Sequence, residues 1–364
     1  MPDRGLPYMC RLAVLILSAG FSLVGPRSAL AQVGCGDTVF EKVTLEADLD
    51  CTGDGLIVGA DKVVIDLDGF TIEGDGGAGD IGIENIGFDS VTIKDGTIAG
   101  FSDCVSIGGN AQKTKLTDLH LFGCLGDGVD LNDSDLGKLK GVVANGNTQN
   151  GITLGAGATG NKIEKSASLG NTLAGVAVNG TDNTLKKVDT AVNTDGIQLN
   201  GPDNTADGCT ARQNVDHGFE ITDNGNHIKK CTSEGNRDEG FRVLAAAGTV
   251  IEKSFAIGNG QHGIFVIGDA DDVDLKKNEA HGNELEGIHV ESDSDDTLID
   301  GNDVFGNHTD GIRTDNASSV VKKNEGRLNG QRAIAAPNGA IDSGGNKASA
   351  NADSPQCENV VCKE

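Results

Sequence analysis

A glycine followed by an apolar, a variable and a second apolar residue recurs along this chain at Gly128, Gly151, Gly175, Gly196, Gly218, Gly240, Gly263, Gly287 and Gly311. The steps between them are 23, 24, 21, 22, 22, 23, 24 and 24 residues. A near-constant period of this size means that one supersecondary unit is stacked on itself, each unit being too small to bury a core alone. The repeat therefore restricts the architecture before any single residue is interpreted.

Residues one and three places after each glycine point to the same side of a strand, and they are apolar: Ile152/Leu154, Val176/Val178, Ile197/Leu199, Phe219/Ile221, Phe241/Val243, Ile264/Val266 and Ile288/Val290. A second aliphatic column lies about twelve residues before the glycine, at Ile163, Ile228, Ile251, Leu275, Ile299 and Val321. A column of small residues lies seven before it, at Ala144, Ser168, Ala211, Ser233, Ala256 and Ala280. Three short strands per period, with no helix-length apolar pattern between them, predict an all-β, right-handed parallel β-helix solenoid of about a dozen coils, with like residues stacked roughly 4.8 Å apart. Asn fills two turn columns. One holds Asn147, Asn171, Asn214, Asn236, Asn259, Asn283, Asn307 and Asn329; in the other, Asn278, Asn302 and Asn324 continue a column begun by Cys209, Cys231 and Ser254. Asn accepts the bent backbone of a turn, and its amide can bond the like amide above and below. Open solenoid ends need covering, so residues 32–65 are expected to form an N-terminal cap and first coil, 66–340 the repeats, and 341–364 a C-terminal cap.

Residues 1–31 read as a secretory signal: Arg4 and Arg11, the apolar run Leu12 to Leu17, then Ser28-Ala29-Leu30-Ala31. The run is too short to span a membrane. Gly34-Cys35 also permits a lipid anchor, although Gln32 stands where such signals carry an aliphatic residue. Without residues 1–31, 26 basic residues face 54 acidic ones, a formal charge of −28, which argues against a nucleic-acid partner. A secreted or periplasmic monomer is expected. The eight cysteines beyond the signal are an even number in an exported chain and imply disulfides, with Cys35 near Cys51, Cys104 near Cys124, Cys209 near Cys231 and Cys357 near Cys362. Cys209 and Cys231 also fit free thiols stacked in a buried column. No CxxC pair of the kind a zinc site uses is present.

Further segments carry a resemblance: Cys35-Gly36-Asp37-Thr38, Gly53-Asp54-Gly55-Leu56-Ile57-Val58-Gly59, Val64-Ile65-Asp66-Leu67-Asp68-Gly69, the repeats, and Gln356-Cys357-Glu358-Asn359-Val360-Val361-Cys362. With these, the chain resembles the exported right-handed parallel β-helix repeat proteins of the NosD and pectate-lyase-like superfamily over essentially all of its length after the signal. That resemblance implies the fold. It leaves the activity open, because the superfamily includes lyases, hydrolases, epimerases, adhesins and proteins with no assigned activity. Asn193-Thr194-Asp195 is also similar to a polygalacturonase motif, but Asp216-His217 stands where those enzymes carry paired aspartates, and Gln261 replaces a glycine before His262.

Chemistry in a solenoid belongs to outward columns. Immediately before the glycine stand His217, Glu239, His262, Glu286 and Asp310; two places after it stand Glu220, Arg242, Phe265, His289 and Arg313. Earlier coils carry Asn150, Thr153, Ala174, Ala177 and Gln198 there. A histidine beside a carboxylate, with arginine nearby, suits a polyuronate lyase or epimerase, which needs a base for the proton next to a carboxylate and a cation for the resulting enolate. The expected catalytic set is His262, Glu286, His289, Arg242, Arg313, Glu239 and Asp310, with Phe265, His217 and Glu220 binding substrate. Glu286 with Asp310 would alternatively serve glycoside hydrolysis. No cofactor is required by this chemistry. Calcium is the expected candidate ion, held by the acidic turns through Asp271, Asp272, Asp295 and Asp296. A lysine column, Lys165, Lys187, Lys230, Lys253, Lys277 and Lys323, could track a polyanion or form a solvated face. The chain has no Trp, and its one Tyr, Tyr8, lies in the signal, so sugar-stacking platforms for neutral glycans are missing and a charged glycan is favoured. The expected function is binding, with processing, of an acidic polysaccharide; the rival is a non-enzymatic structural or adhesive protein. Metal delivery, a third possibility, is not favoured because the histidines are scattered and no Met follows the signal.

Overall fold

The computed structural model describes residues 33–363; the expected signal, residues 1–31, lies outside them. Among the described residues the chain is a right-handed parallel β-helix with no helical segment. One strand from each coil contributes to a single 15-stranded parallel sheet, the glycine-strand sheet, running from Asp37–Val39 to Cys357–Glu358. Apart from a separate pairing of Ala111–Gln112 with Ser134–Asp135, the remaining strands form the second and third faces, as in Lys162–Glu164 and Ala167–Leu169 of one coil. Pairing is in register from coil to coil: Ile152 lies opposite Val176, Val176 opposite Ile197, and Ile197 opposite Phe219. The expected inward columns are the core. Ile163, Leu185, Ala206, Ile228, Ile251, Leu275, Ile299 and Val321 stack as fully buried residues on the second face.

The repeated glycine is required by space rather than by backbone twist. A Cβ added at Gly240 would lie 2.5 Å from the Gly263 carbonyl oxygen, and one added at Gly263 would lie 2.5 Å from that of Gly287. Coil-on-coil stacking at this corner excludes every side chain.

The asparagine column is continuous from Asn147 to Asn351 and includes Asn193. Each Nδ2 donates to the next Oδ1 at 2.8–3.4 Å. Each Oδ1 also accepts the backbone N–H of the asparagine before it, so a buried turn that would strand amide groups satisfies them axially. A second ladder runs Asn278, Asn302, Asn324 and Asn346. A third, Asn161, Asn183, Asn204 and Asn226, was not anticipated.

Three disulfides are present, Cys35–Cys51, Cys104–Cys124 and Cys357–Cys362. The expectation of a fourth, between Cys209 and Cys231, is corrected: both are buried free thiols. The Sγ of Cys231 accepts the Cys209 backbone N–H at 3.3 Å, the place an asparagine oxygen takes farther along the same column, while Ser254 Oγ accepts from Cys231 N. In-register stacking points the two side chains the same way rather than toward each other. The lysine column sits at a corner. Lys165, Lys187, Lys230, Lys253, Lys277 and Lys323 have φ between 51° and 56°, a left-handed turn joining the second face to the third. At the two ends of the described residues the ladder continues, Asp37–Val39 pairing with Leu56–Val58 and Cys357–Glu358 with Ile334–Ala335.

Candidate functional site

The outward side of the glycine-strand sheet carries two columns. Residues just before the glycine hold the corner: Asp127, Asp195 and Asp310 each accept a backbone N–H of the next coil, from Asn150, His217 and Arg332. From His217 to Glu286 this column changes character, because histidine and glutamate alternate. The second column, two residues after the glycine, runs in register through Gln198, Glu220, Arg242, Phe265, His289 and Arg313. Neighbours within a column are one strand spacing apart, about 4.8 Å.

His217 lies between two carboxylates. Its Nδ1 meets Asp195 at 3.0 Å and its Nε2 meets Glu239 at 3.0 Å, all three side chains being largely buried. Burial disfavours the charged ring, but the hydrogen bonds and charges of Asp195 and Glu239 outweigh it and raise the pKa to about 10. Burial likewise opposes ionisation of Asp195 and Glu239, and the same histidine overcomes it, so both pKa values are lowered. The trio is a saturated ion cluster.

Two coils on, the arrangement is unsaturated. His262 is 7% exposed, and its Nδ1 sits 3.0 Å from Glu286 Oε2, yet the approach is poorly aligned and that nitrogen has no well-formed hydrogen bond. Burial pushes Glu286 up, but the close His262 imidazole outweighs it and holds the carboxyl at about 2. His289 presents Nε2 to Asp315 at 3.2 Å, while its Nδ1 is buried without a partner. Burial, with repulsion from His262, lowers the His289 pKa despite Asp315, so the ring is neutral at pH 7. Phe265 stacks on His262 at 4.5 Å between centroids and lies 5.2 Å from His289; the two imidazoles are 5.0 Å apart.

The structure thus brings His262, Glu286, His289 and Phe265 into one cluster, and Asp315 joins Arg313 to it through a hydrogen bond at 3.0 Å. Arg242 is paired with Glu220 at 2.8 Å. Asp310 is only 1% exposed and spends Oδ1 on Arg332 N, so it supports the corner and offers no accessible acid. Glu239 belongs to the His217 trio. Asp271, Asp272, Asp295 and Asp296 are not gathered into a ligand set: Asp271 accepts Asp295 N, Asp295 accepts Asn316 Nδ2, and Asp272 and Asp296 occupy left-handed turns. Among the described residues the three-donor groupings are instead His262/Glu286/His289, Asp195/Asp216/His217 and His217/Asp238/Glu239. Asp315 is the residue sequence reasoning missed. It directly follows its strand, four places after Gly311, where other coils carry Glu291, Thr222, Asn200 and Asn179.

A family model described as right handed beta helix region matches residues 104–255, 174–325 and 227–357. Among solved structures, the chain is similar to the A-module of the Azotobacter vinelandii mannuronan C-5 epimerase AlgE6, with a TM-score of 0.64 and 16% identity over 89% of this chain and 91% of that one. Weaker likenesses are to a double mutant of the periplasmic alginate epimerase AlgG, with a TM-score of 0.49, 11% identity and coverage of 85% and 78%, and to Geobacillus virus E2 ORF18, with 0.47, 13%, 69% and 52%. The first likeness extends to the fold alone; the other two have TM-scores too low to carry an argument. No curated protein matches significantly.

Proposed function

The chain belongs to the right-handed β-helix family, and from that premise we propose that it is an exported protein that binds an acidic polysaccharide along the outer glycine-strand face and acts on it by proton abstraction, as a lyase or epimerase does. The observation that carries this reading is the cluster of His262, Glu286 and His289 in register with Arg242 and Arg313 on an open sheet face. A flat face suits an extended polymer. Glu286 stands 3.0 Å from the Nδ1 side of the His262 ring, and in this reading Nε2 is the nitrogen that meets the sugar.

In this reading His262 Nε2 takes the proton beside the sugar carboxylate, and the electron pair moves onto that carboxylate as an enolate. Arg313 and Arg242 stabilise the added charge. Return of a proton to the opposite face completes epimerisation; expulsion of the neighbouring glycosidic oxygen, with formation of a carbon–carbon double bond, completes lysis. The mannuronan C-5 epimerase of similar fold supports the choice of a polyuronate as first substrate. The three disulfides support an oxidising compartment.

The rival reading, a structural or adhesive solenoid, is favoured by one observation: Arg242 and Arg313 are both already ion-paired. Incubation of the signal-free protein with a polyuronate panel separates the two, with new double bonds followed by ultraviolet absorbance and C5 configuration by NMR. Turnover that falls about 100-fold or more in His262→Gln is expected. Retention of polyuronate without turnover would leave binding alone, and neither binding nor turnover would favour the structural reading.

A further inference from the structure

We infer that His262, Glu286 and His289 form a binding site for one divalent transition-metal ion of the Zn2+ class, with its remaining coordination position open to the outer face. One ligand atom from each residue lies within 4.8 Å of the other two. That bound is compatible with three donors around one ion, whose metal–nitrogen and metal–oxygen bonds are about 2.0–2.2 Å, and His262 Nδ1 is already 3.0 Å from Glu286 Oε2.

The independent observation is the state of the nitrogens. His262 is more than nine-tenths buried, and its Nδ1 has no well-formed hydrogen bond although Glu286 stands beside it. The Nδ1 of His289 is also buried and unpartnered. Two orphaned ring nitrogens on touching imidazoles are unusual, because buried polar atoms are nearly always satisfied. A metal satisfies both at once.

The surroundings fit a metal ligand set. His289 Nε2–H donates to Asp315, which fixes the tautomer with its lone pair on Nδ1, and Arg313 holds that carboxylate in turn. A carboxylate behind a ligating histidine is the usual way such rings are oriented. Phe265 covers both rings from one side. Two imidazoles and one carboxylate suit zinc and its neighbours; calcium, which takes six or more oxygen ligands, is poorly served. The inference does not depend on the glycan reading, in which His262 is the base of the metal-free protein, because a neutral imidazole that ligates through Nδ1 carries its proton on Nε2.

The test uses tag-free, signal-free protein, with Zn2+ competed against a chromophoric chelator and Co2+ as a spectroscopic substitute. One equivalent of tightly bound Zn2+ is expected, together with visible Co2+ absorption of tetrahedral intensity. His262→Gln and His289→Gln should each weaken Zn2+ binding by 100-fold or more. Asp315→Asn should weaken it 10- to 100-fold by loosening the ring. His217→Gln, which disables the other two groupings, should leave stoichiometry and affinity within twofold. Absence of stoichiometric Zn2+ binding by wild-type protein overturns the inference. So does binding that survives both histidine variants or disappears in His217→Gln. Retention of the wild-type far-ultraviolet circular dichroism by each variant keeps loss of binding distinct from loss of fold.

Discussion

His217 and His262 occupy the same outward column two coils apart, and their fates differ. His217 has a carboxylate on each ring nitrogen at 3.0 Å; His262 has one, badly aligned. The first ring is protonated and held with no donor to spare, whereas the second is packed among aromatic neighbours with an unfulfilled nitrogen. A repeat scaffold can therefore hold the same residue as a structural cation or as a reactive group, and only the identity of the residues one coil above and below decides which.

Removing His217 gives the largest expected effect. His217→Ala leaves Asp195 and Glu239 as buried, facing carboxylates and should destabilise the protein by about 3–5 kcal/mol in urea unfolding. His262→Ala should cost much less, and equal losses would erase the contrast. The pH dependence sharpens it. The folded pKa of His217 is raised from 6.5 to about 10, so its contribution is fully present below pH 6.5 and is lost as pH rises through about 10. Wild-type stability should therefore fall between pH 7 and 10.5 more steeply than that of His217→Gln. Imidazole NMR should find His217 doubly protonated at pH 8 and His289 neutral; the reverse order would refute the assignment.

The asparagine ladder gives the next effect. Asn259→Ala removes acceptors for Asn236 N and Nδ2 and a donor to Asn283, and should destabilise by about 1–3 kcal/mol. The smallest belongs to the thiols. Cys231→Ser keeps an acceptor for Cys209 N and should change stability by about 1 kcal/mol or less, and both thiols should resist alkylation until the protein unfolds.

The repeat architecture was legible because in-register stacking writes itself into sequence as columns, and Gly240 or Ile251 each have counterparts in coil after coil. The same logic exposed the outward pair of columns that holds His262, Glu286, His289, Arg242 and Arg313. Columns whose residue type changes from coil to coil stayed hidden. Asp315 stands four places after Gly311, where other coils carry Asn179, Asn200, Thr222 and Leu244, and the ladder through Asn161, Asn183, Asn204 and Asn226 gives way to Thr249, Val273 and Thr297 at the same place, so neither position repeats one residue type along the chain. Acidic runs at Asp271 and Asp295 read as metal ligands because their carboxylates are adjacent in sequence, but in the fold each takes its own donor, Asp271 the backbone N–H of Asp295 and Asp295 the side-chain amide of Asn316. Cys209 and Cys231 were ambiguous because one period of separation serves either a cross-link or a stack.

The glycine corner, where each coil's carbonyl fills the space a Cβ would need, makes the axis editable in whole units. Excising Gly240 to His262 joins Glu239 to Gly263, sets Asn236 beside Asn283, and leaves every inward column with a like neighbour. Cutting half that length would turn core residues to solvent. Length is thus a freely heritable property of this scaffold in steps of one coil, and lineages can shift a reactive patch along the surface by duplication or loss without redesigning the interior.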